Sequence, residues 1–173
     1  RTQAKVINLG LFYGMGKAKL QAELGVSEEK AADLFATYHS RVPFVKQLMN
    51  AVSQRAQQRG QIRTLLGRLC RFHLWEPNYF GIHKALPHEQ AILEHGPGIK
   101  RAFTYKSLNK LIQGSAADMT KKCMLELYKE GIIPHIQIHD ELDISVKDDK
   151  EAKRIVEIME SAVELEIPNK VDY

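Results

Sequence analysis

Two cations stand one helical turn apart at the start of the chain, and an apolar residue and a tyrosine continue the same line. The four residues are Arg1, Lys5, Leu9 and Tyr13. If this segment is helical, positions four apart lie on one face. Neighbouring cations repel each other unless an anion lies between them, and a polyphosphate would satisfy both. A solvated basic end followed by a buried apolar helix is the alternative, and spacing alone favours it.

A second pattern combines two amides with a run of small residues. Asn109 and Gln113 are four apart, and Gly114–Ala117 follows them. On a helix the two amides share a face, and the small residues allow another backbone or a duplex to approach closely. Amides can donate to minor-groove acceptors, which distinguish base pairs poorly and therefore permit binding of any sequence. Ordinary helix packing through small residues explains this segment equally well.

The third pattern is a charged centre, His139-Asp140-Glu141, between two alternating apolar segments. The alternation predicts two strands with a tight connection at Asp140-Glu141. A rigid hairpin would hold the carboxylates in place, as metal chemistry requires. A charged surface turn with a neighbouring histidine is the alternative.

Together, and in this order, the three segments resemble the signatures of family A DNA polymerases, the bacterial polymerase I group. RTQAKVINLGLFYG is similar to the fingers helix that closes over the incoming nucleotide. NKLIQGSAAD resembles the family's Asn-x3-Gln-Gly-(Ser/Thr)-Ala-Ala-Asp helix. IQIHDELDIS resembles the segment in which the bacterial enzymes carry Val-His-Asp-Glu. The resemblance covers nearly the whole chain and implies template-directed addition of dNTPs to a primer 3′ end.

For the first segment, the resemblance implies a nucleotide-binding role. Arg1 and Lys5 would contact the phosphates, with Lys5 also a candidate acid for the departing pyrophosphate. Tyr13 and Gly14 would lie near the nascent and templating bases, so Gly14 is grouped with the DNA-binding residues. Leu9 occupies the position where the family usually has Phe or Tyr against the sugar and base. Phage members with leucine there exist, so the resemblance stands.

For the charged hairpin, the resemblance implies a two-metal site. Asp140 would be one of two catalytic aspartates that hold Mg²⁺, with Mn²⁺ as an alternative ion, and Glu141 an assisting carboxylate and metal ligand. His139 would touch the primer end. The family's other aspartate lies upstream of the first segment. We therefore expect this chain to be a fragment whose upstream palm and thumb segments are missing.

Further DNA contacts are expected along the same resemblance. Asn109 and Gln113 would reach the duplex. Tyr105 and Lys106 lie on the helix face that leads to Asn109 and would approach the DNA. TLLGRLCRF resembles the family's Thr-x2-Gly-Arg-Arg segment, although Leu69 replaces the second arginine. Arg68 would contact the template strand or its neighbours. A plain surface hairpin is an equally good reading of this segment.

The pattern of helix and strand signals predicts an α+β fold, with a helical part over residues 1–99 and an α+β part over residues 100–173. The resemblance implies that these are the mostly helical fingers subdomain and the C-terminal part of the palm. The palm part would contain the antiparallel hairpin. Glycine and proline positions predict the helix boundaries. In the first part we expect a helix to Leu24 broken at Gly14 and Gly16, a hairpin over Gln61–Phe72 and an irregular loop over Trp75–Gly98. In the second part we expect helices over Lys100–Glu130 and Asp148–Leu165 and a strand over Ile167–Tyr173.

Composition is compatible with this interpretation. The chain has 173 residues, of which 44% are hydrophobic, and a net charge of +4, which permits a phosphate-bearing partner. Its two cysteines are far apart, which argues against a disulfide framework or a cysteine zinc site. No membrane-length apolar run occurs. We expect a cytoplasmic protein of a bacterium or a phage-infected host, with an organelle left open. A non-catalytic nucleic-acid-binding module derived from a polymerase is the alternative function.

Overall fold

The computed structural model describes residues 2–79 and 81–173, and this part of the chain has an α+β fold, as predicted. Its α-helices are α1 Thr2–Phe12, α2 Lys17–Leu24, α3 Glu28–Arg41, α4 Pro43–Arg59, α5 His88–His95, α6 Ser107–Lys129 and α7 Asp149–Ser161. Its strands are β1 Gln61–Arg63, β2 Leu69–Arg71, β3 Leu74–Pro77, β4 Leu86–Pro87, β5 Ile99–Arg101, β6 Ile136–Ile138 and β7 Glu141–Asp143.

The helix boundaries in the first part of the chain follow the glycine, serine and proline signals. Gly14 adopts a φ of +82°, which breaks the predicted long helix into α1 and α2. The hydroxyl of Ser27 accepts a hydrogen bond from the backbone N–H of Lys30 at 3.3 Å and caps α3. Pro43 is the first residue of α4. The predicted hairpin at Gln61–Phe72 is also present, as β1 and β2.

The segment Trp75–Gly98 was predicted to be an irregular loop, and this prediction is wrong. Strand β3 is the centre of a three-stranded antiparallel sheet, with β4 and β5 on either side. Trp75 lies opposite both Leu86 and Arg101. Helix α5 connects β4 to β5. The prolines and glycines mark the ends of very short elements here, so their density does not indicate missing structure.

The predicted helix over Lys100–Glu130 begins later than expected. Lys100 lies in β5, a single 3-10 turn covers Thr104–Lys106, and α6 starts at Ser107. The backbone N–H of Lys100's strand neighbour Arg101 donates to the side chain of Gln57 at 3.1 Å. This hydrogen bond between distant residues favours extended backbone over a continuous helix. Sequence periodicity cannot predict such a bond.

Two predictions in the last part of the chain are also corrected. The connection between β6 and β7 is His139-Asp140, because Glu141 is already paired with Ile138. Helix α7 ends at Ser161, before Leu165. The predicted strand at Ile167–Tyr173 does not form within the described residues. A strand needs a partner strand, whereas the N–H of Val171 donates to the carboxylate of Glu160 at 3.1 Å.

Contacts between residues divide the chain into two compact units. The first unit runs to Ile62 and resumes over Leu69–Leu111, and the second comprises Arg63–Arg68 with Ile112–Tyr173. Helix α6 contributes residues to both. The central hydrophobic cluster of the first unit comprises Val52, Ala56, Ile62 and Phe72, with Leu48, Cys70 and Leu111 packed against it. In the second unit, the buried apolar residues include Leu127, Ile155 and Val163. No helix among the described residues is long and apolar enough to cross a membrane.

Candidate nucleotide and nucleic-acid site

Of the stripe predicted on the first helix, Lys5 and Leu9 are exposed and Tyr13 is half-buried. Lys5 and Leu9 lie on α1, and the backbone N–H of Tyr13 donates to the carbonyl of Leu9 at 3.1 Å, which continues the line. Leu11 is 1% exposed and packs into the first unit, whereas Leu9 is 58% exposed. The stripe therefore is not the packing face of this helix. Arg1 lies outside the described residues.

A cleft of about 470 Å³ in the first unit brings several predicted residues together. Leu9, Tyr13, Gly14, Tyr105 and Asn109 all line it, although they come from two distant segments of the sequence. Two tyrosine rings and a leucine give an apolar wall that a base can contact. The cleft thus combines the end of α1 with the start of α6.

Lys106, expected beside Tyr105, also lines this cleft, whereas sequence reasoning missed Met15 and Lys19. The ammonium of Lys106 lies 5.5 Å from the ring centre of Tyr105, within the range of a cation–π interaction. No signal in the sequence indicates Met15 or Lys19, because only the fold brings them to this cleft. The two lysines make the polar side of the cleft positive, which suits a phosphate-bearing ligand.

Gly14 has a structural reason to be glycine. Its φ of +82° is one that residues with a side chain rarely adopt. A Cβ atom there would also lie 3.1 Å from the sulfur of Met49. The backbone of Gly14 is therefore exposed to the cleft without any side chain between them.

A second cleft, of about 410 Å³, lies entirely within the second unit. It is lined by Gln113, Ala116, Ala117 and Thr120 of α6 and by His139 and Asp140 of the hairpin turn. Two of the segments singled out in the sequence thus meet at one surface. The alanines leave space between the amide of Gln113 and the turn. Thr120 was missed, although its position seven residues after Gln113 places it on the same helix face.

The hairpin turn is held in an unusual backbone conformation. His139 has a φ of +56°, which is uncommon for a residue other than glycine. The amide nitrogen of Gln137 donates to the carbonyl of His139 at 3.0 Å and supports this geometry. The imidazole and the carboxylate of Asp140 are thereby both placed beside α6.

Asp140 also lines a third cleft, of about 520 Å³, on its other side. Glu141, Lys170, Asp172 and Tyr173 contribute to that cleft. Among the described residues, neither Asp140 nor Glu141 forms a side-chain hydrogen bond or an ion pair. No group of three or more potential metal-binding side chains occurs in the part of the chain that the structure describes. Two exposed carboxylates fit Mg²⁺, which proteins usually hold through one or two carboxylates together with substrate phosphates.

Arg68, predicted to contact DNA, is anchored by a buried carboxylate. Its Nε donates to Asp118 Oδ1 at 2.6 Å, and its Nη2 donates to the carbonyl of Gly114 at 2.9 Å. The hydroxyl of Thr64 donates to Asp118 Oδ2 at 2.5 Å. Asp118 is only 7% exposed, whereas the side chain of Arg68 is 46% exposed. All of these residues belong to the second unit.

The ionisation of Asp118 is set by two opposing effects. Burial raises the pKa of this carboxyl group, but hydrogen bonds from Thr64 and Arg68 lower it, as do the charges of Arg68 and Lys121. The net effect is a pKa below the ordinary value. Asp118 is therefore ionised at neutral pH and pairs with Arg68. The sequence contains the aspartate as the last residue of NKLIQGSAAD, but nothing in the pattern indicates its partner.

Comparison with known proteins identifies the family. The model of DNA polymerase family A matches residues 1–173, the whole chain. The chain belongs to DNA polymerase family A. It is 34% identical to a DNA-directed DNA polymerase of Pseudomonas phage M6, with 99% of the chain and 28% of that protein covered. It is also 34% identical to DNA polymerase I of Bacillus caldotenax, with 100% of the chain and 19% of that protein covered.

A solved structure gives the same family relationship. The fold matches the POL domain of Pol1 from M. smegmatis, solved in complex with DNA primer-template and dNTP, with a TM-score of 0.72 and 26% identity. The match covers 96% of this chain and 28% of that one. This family A chain thus spans less than a third of the length of each of these relatives.

Proposed function

We propose that this chain supplies the fingers and the C-terminal part of the palm of a template-directed DNA polymerase. Residues 1–99 would form the fingers and residues 100–173 the palm segment. One observation carries the proposal. In a chain that matches family A throughout, Gln113 and the His139-Asp140 turn line one cleft. An amide and an imidazole can form hydrogen bonds with a primer end, and a carboxylate beside them can hold Mg²⁺.

Nucleotide binding is assigned to the solvent-facing stripe of α1. Lys5, together with Arg1, binds the triphosphate, and Leu9 contacts the nucleoside. The position of Leu9 supports this assignment, because its exposed side chain lines the same cleft as Tyr13. Tyr13 closes the template side of the nucleotide. Lys5 is also the group that protonates the departing pyrophosphate.

Catalysis is assigned to the hairpin turn. Asp140 and Glu141 would hold Mg²⁺, with Mn²⁺ as an alternative, and the complete enzyme would use two ions. When bound, the ions supply positive charge at the reacting phosphate. His139 positions the primer end beside the carboxylates. A second catalytic aspartate, from an upstream palm segment of the same polypeptide, would complete the set of metal-binding carboxylates.

Primer–template DNA is the proposed partner of the remaining site residues. Asn109 and Gln113 donate to the minor groove, Gly14 and Tyr105 lie beside the template base, and Arg68 contacts a phosphate. The pocket lysines and the net charge of +4 favour a polyanionic partner. With phage and bacterial relatives, the cytoplasm of a bacterium or of an infected host is the proposed location.

Primer extension tests this function. The polypeptide that carries this sequence is incubated with primer–template, dNTPs and Mg²⁺, beside an Asp140→Asn variant. The matched control is Asp143→Asn, which makes the same change on the exposed strand after the turn. We expect extension in the parent and in the control, and none with Asp140→Asn. Equal extension by all three would remove Asp140 from the mechanism.

A binding titration separates the alternative function. A polymerase-derived binding module would bind primer–template with the affinity of the parent in all three variants and extend it in none. A protein that does not bind primer–template at all would contradict both functions.

A further inference from the structure

The loop between β1 and β2 is fastened to α6 by a connected set of polar contacts. Thr64 and Arg68, at the two ends of the loop, both hydrogen bond to the carboxylate of Asp118. Within the loop, the backbone N–H of Leu65 donates to the hydroxyl of Ser115 at 2.9 Å. The backbone N–H of Arg68 also donates to the hydroxyl of Thr64 at 3.0 Å. The loop is therefore attached to α6 at both of its ends.

The guanidinium of Arg68 is only partly used by these contacts. A guanidinium has five N–H donors, and the recorded bonds engage Nε and Nη2. Among the described residues, Nη1 has no hydrogen-bond partner. Asp118, in contrast, uses one oxygen for Thr64 and the other for Arg68. The carboxylate is thus fully engaged inside the protein, while part of its partner is open to solvent.

We propose that Asp118 is a positioning residue that orients Arg68 toward a phosphate of primer–template DNA. This inference rests on the proposed function. An arginine free in solvent must lose side-chain freedom when it binds a phosphate. The bidentate fork of the guanidinium is already fixed here by Asp118 and the carbonyl of Gly114. The remaining donors can then bind an anion with little further ordering.

A positioning role for Asp118 predicts a change in DNA affinity opposite to the change that charge alone predicts. Removing a negative charge from a DNA-binding surface ordinarily strengthens binding, because the net charge becomes more positive. If Asp118 positions Arg68, its neutralisation weakens binding instead. A carboxylate that only fastens the loop would change stability, and Thr64→Val would have the same effect. The direction of the change therefore discriminates between these roles.

The experiment measures primer–template affinity by fluorescence anisotropy over a range of salt concentrations, with melting temperatures recorded in parallel. Arg68→Gln should weaken binding about tenfold, the effect of one charge-assisted contact. It should also reduce the slope of log K against log salt by about one. Asp118→Asn should likewise weaken binding and reduce the salt slope. The double variant, with Arg68→Gln and Asp118→Asn together, should bind no more weakly than Arg68→Gln alone. Thr64→Val should lower the melting temperature and leave the salt slope unchanged.

A second variant keeps the test valid if Asp118→Asn does not fold. Arg68→Lys retains the charge but has no fork that could serve the carboxylate and a phosphate together, so it should also weaken binding. Parent-like or tighter binding by Asp118→Asn, or parent-like binding by Arg68→Lys, overturns the positioning role. A change in the slope of log K against log salt for Thr64→Val would also overturn the positioning role. If the parent itself does not bind primer–template, the proposed function fails together with this inference, whereas the other outcomes affect the inference alone.

Discussion

Gln57 connects α4 to the segment that precedes α6, and its replacement by methionine should destabilise the first unit. Its Nε2 donates to the carbonyl of Arg101 at 2.9 Å and to the hydroxyl of Thr104 at 2.7 Å. Its Oε1 accepts from the backbone N–H of Arg101 at 3.1 Å. Methionine has a similar length and keeps most of the packing, so Gln57→Met mainly removes the three hydrogen bonds.

The expected magnitude follows from these contacts. An intramolecular hydrogen bond contributes about 1 kcal/mol net, and partly buried groups left unpaired add to the loss. Three bonds therefore correspond to about 3 kcal/mol. For a chain of this size, that loss should lower the melting temperature by roughly 6–12 °C.

Urea unfolding followed by tryptophan fluorescence is the appropriate assay. Trp75 is the only tryptophan of the chain, and the guanidinium of Arg101 lies 4.5 Å from its ring centre. Its emission therefore reports on the structure that Gln57 supports. The matched control is Gln58→Met, the same substitution at the next, exposed position of α4. Equal midpoints for Gln57→Met and Gln58→Met would refute the reasoning, because the hydrogen bonds would then contribute nothing measurable.

Two further predictions concern the nucleotide site and the buried carboxylate. Leu9→Tyr should strengthen stacking on the nucleotide and raise dideoxynucleotide incorporation relative to dNTPs. Competition primer extension measures this ratio, and an unchanged ratio would contradict a contact between Leu9 and the nucleoside. The pKa of Asp118 is lowered in the folded state, so its ionisation stabilises the fold above pH ~4 and this contribution disappears as pH falls below that value. The stability difference between the parent and Asp118→Asn should therefore be largest at neutral pH and shrink below pH ~4 in urea unfolding. A difference that is constant from pH 7 to pH 3 would be the contrary result.

Local signals were sufficient for the first four helices, α1 to α4, but not for α5 or for the ends of α6 and α7. A cap such as Ser27, or a proline at a first helical position such as Pro43, acts through bonds within one turn of the chain. These effects can be predicted from a few neighbouring residues. The sheet formed by β3, β4 and β5 was missed for the opposite reason. Its strands have two to four residues, too few to show alternation, and they are held by partners distant in sequence.

In the candidate site too, features that lie within one short segment were predicted, and contacts between distant segments were not. The motifs at Gln113 and at His139-Asp140 were each recognisable in the sequence, and the structure brings them to one cleft. The partner of Arg68 was not predicted, because 50 residues separate it from Asp118 and no pattern links the two. Lys19 was missed similarly, since only the folded arrangement places it beside Asn109.

The left-handed turn at His139 sets thermal stability against the proposed contact with the primer end. A residue with a side chain in this conformation costs the fold about 1 kcal/mol, and glycine would not. Selection for heat resistance alone would therefore favour glycine there, and the same change would remove the imidazole from the cleft. Laboratory evolution of a more thermostable protein should accordingly screen each round for activity as well as for melting temperature, because the substitution that relieves the backbone strain is also the one that removes the proposed primer-end contact.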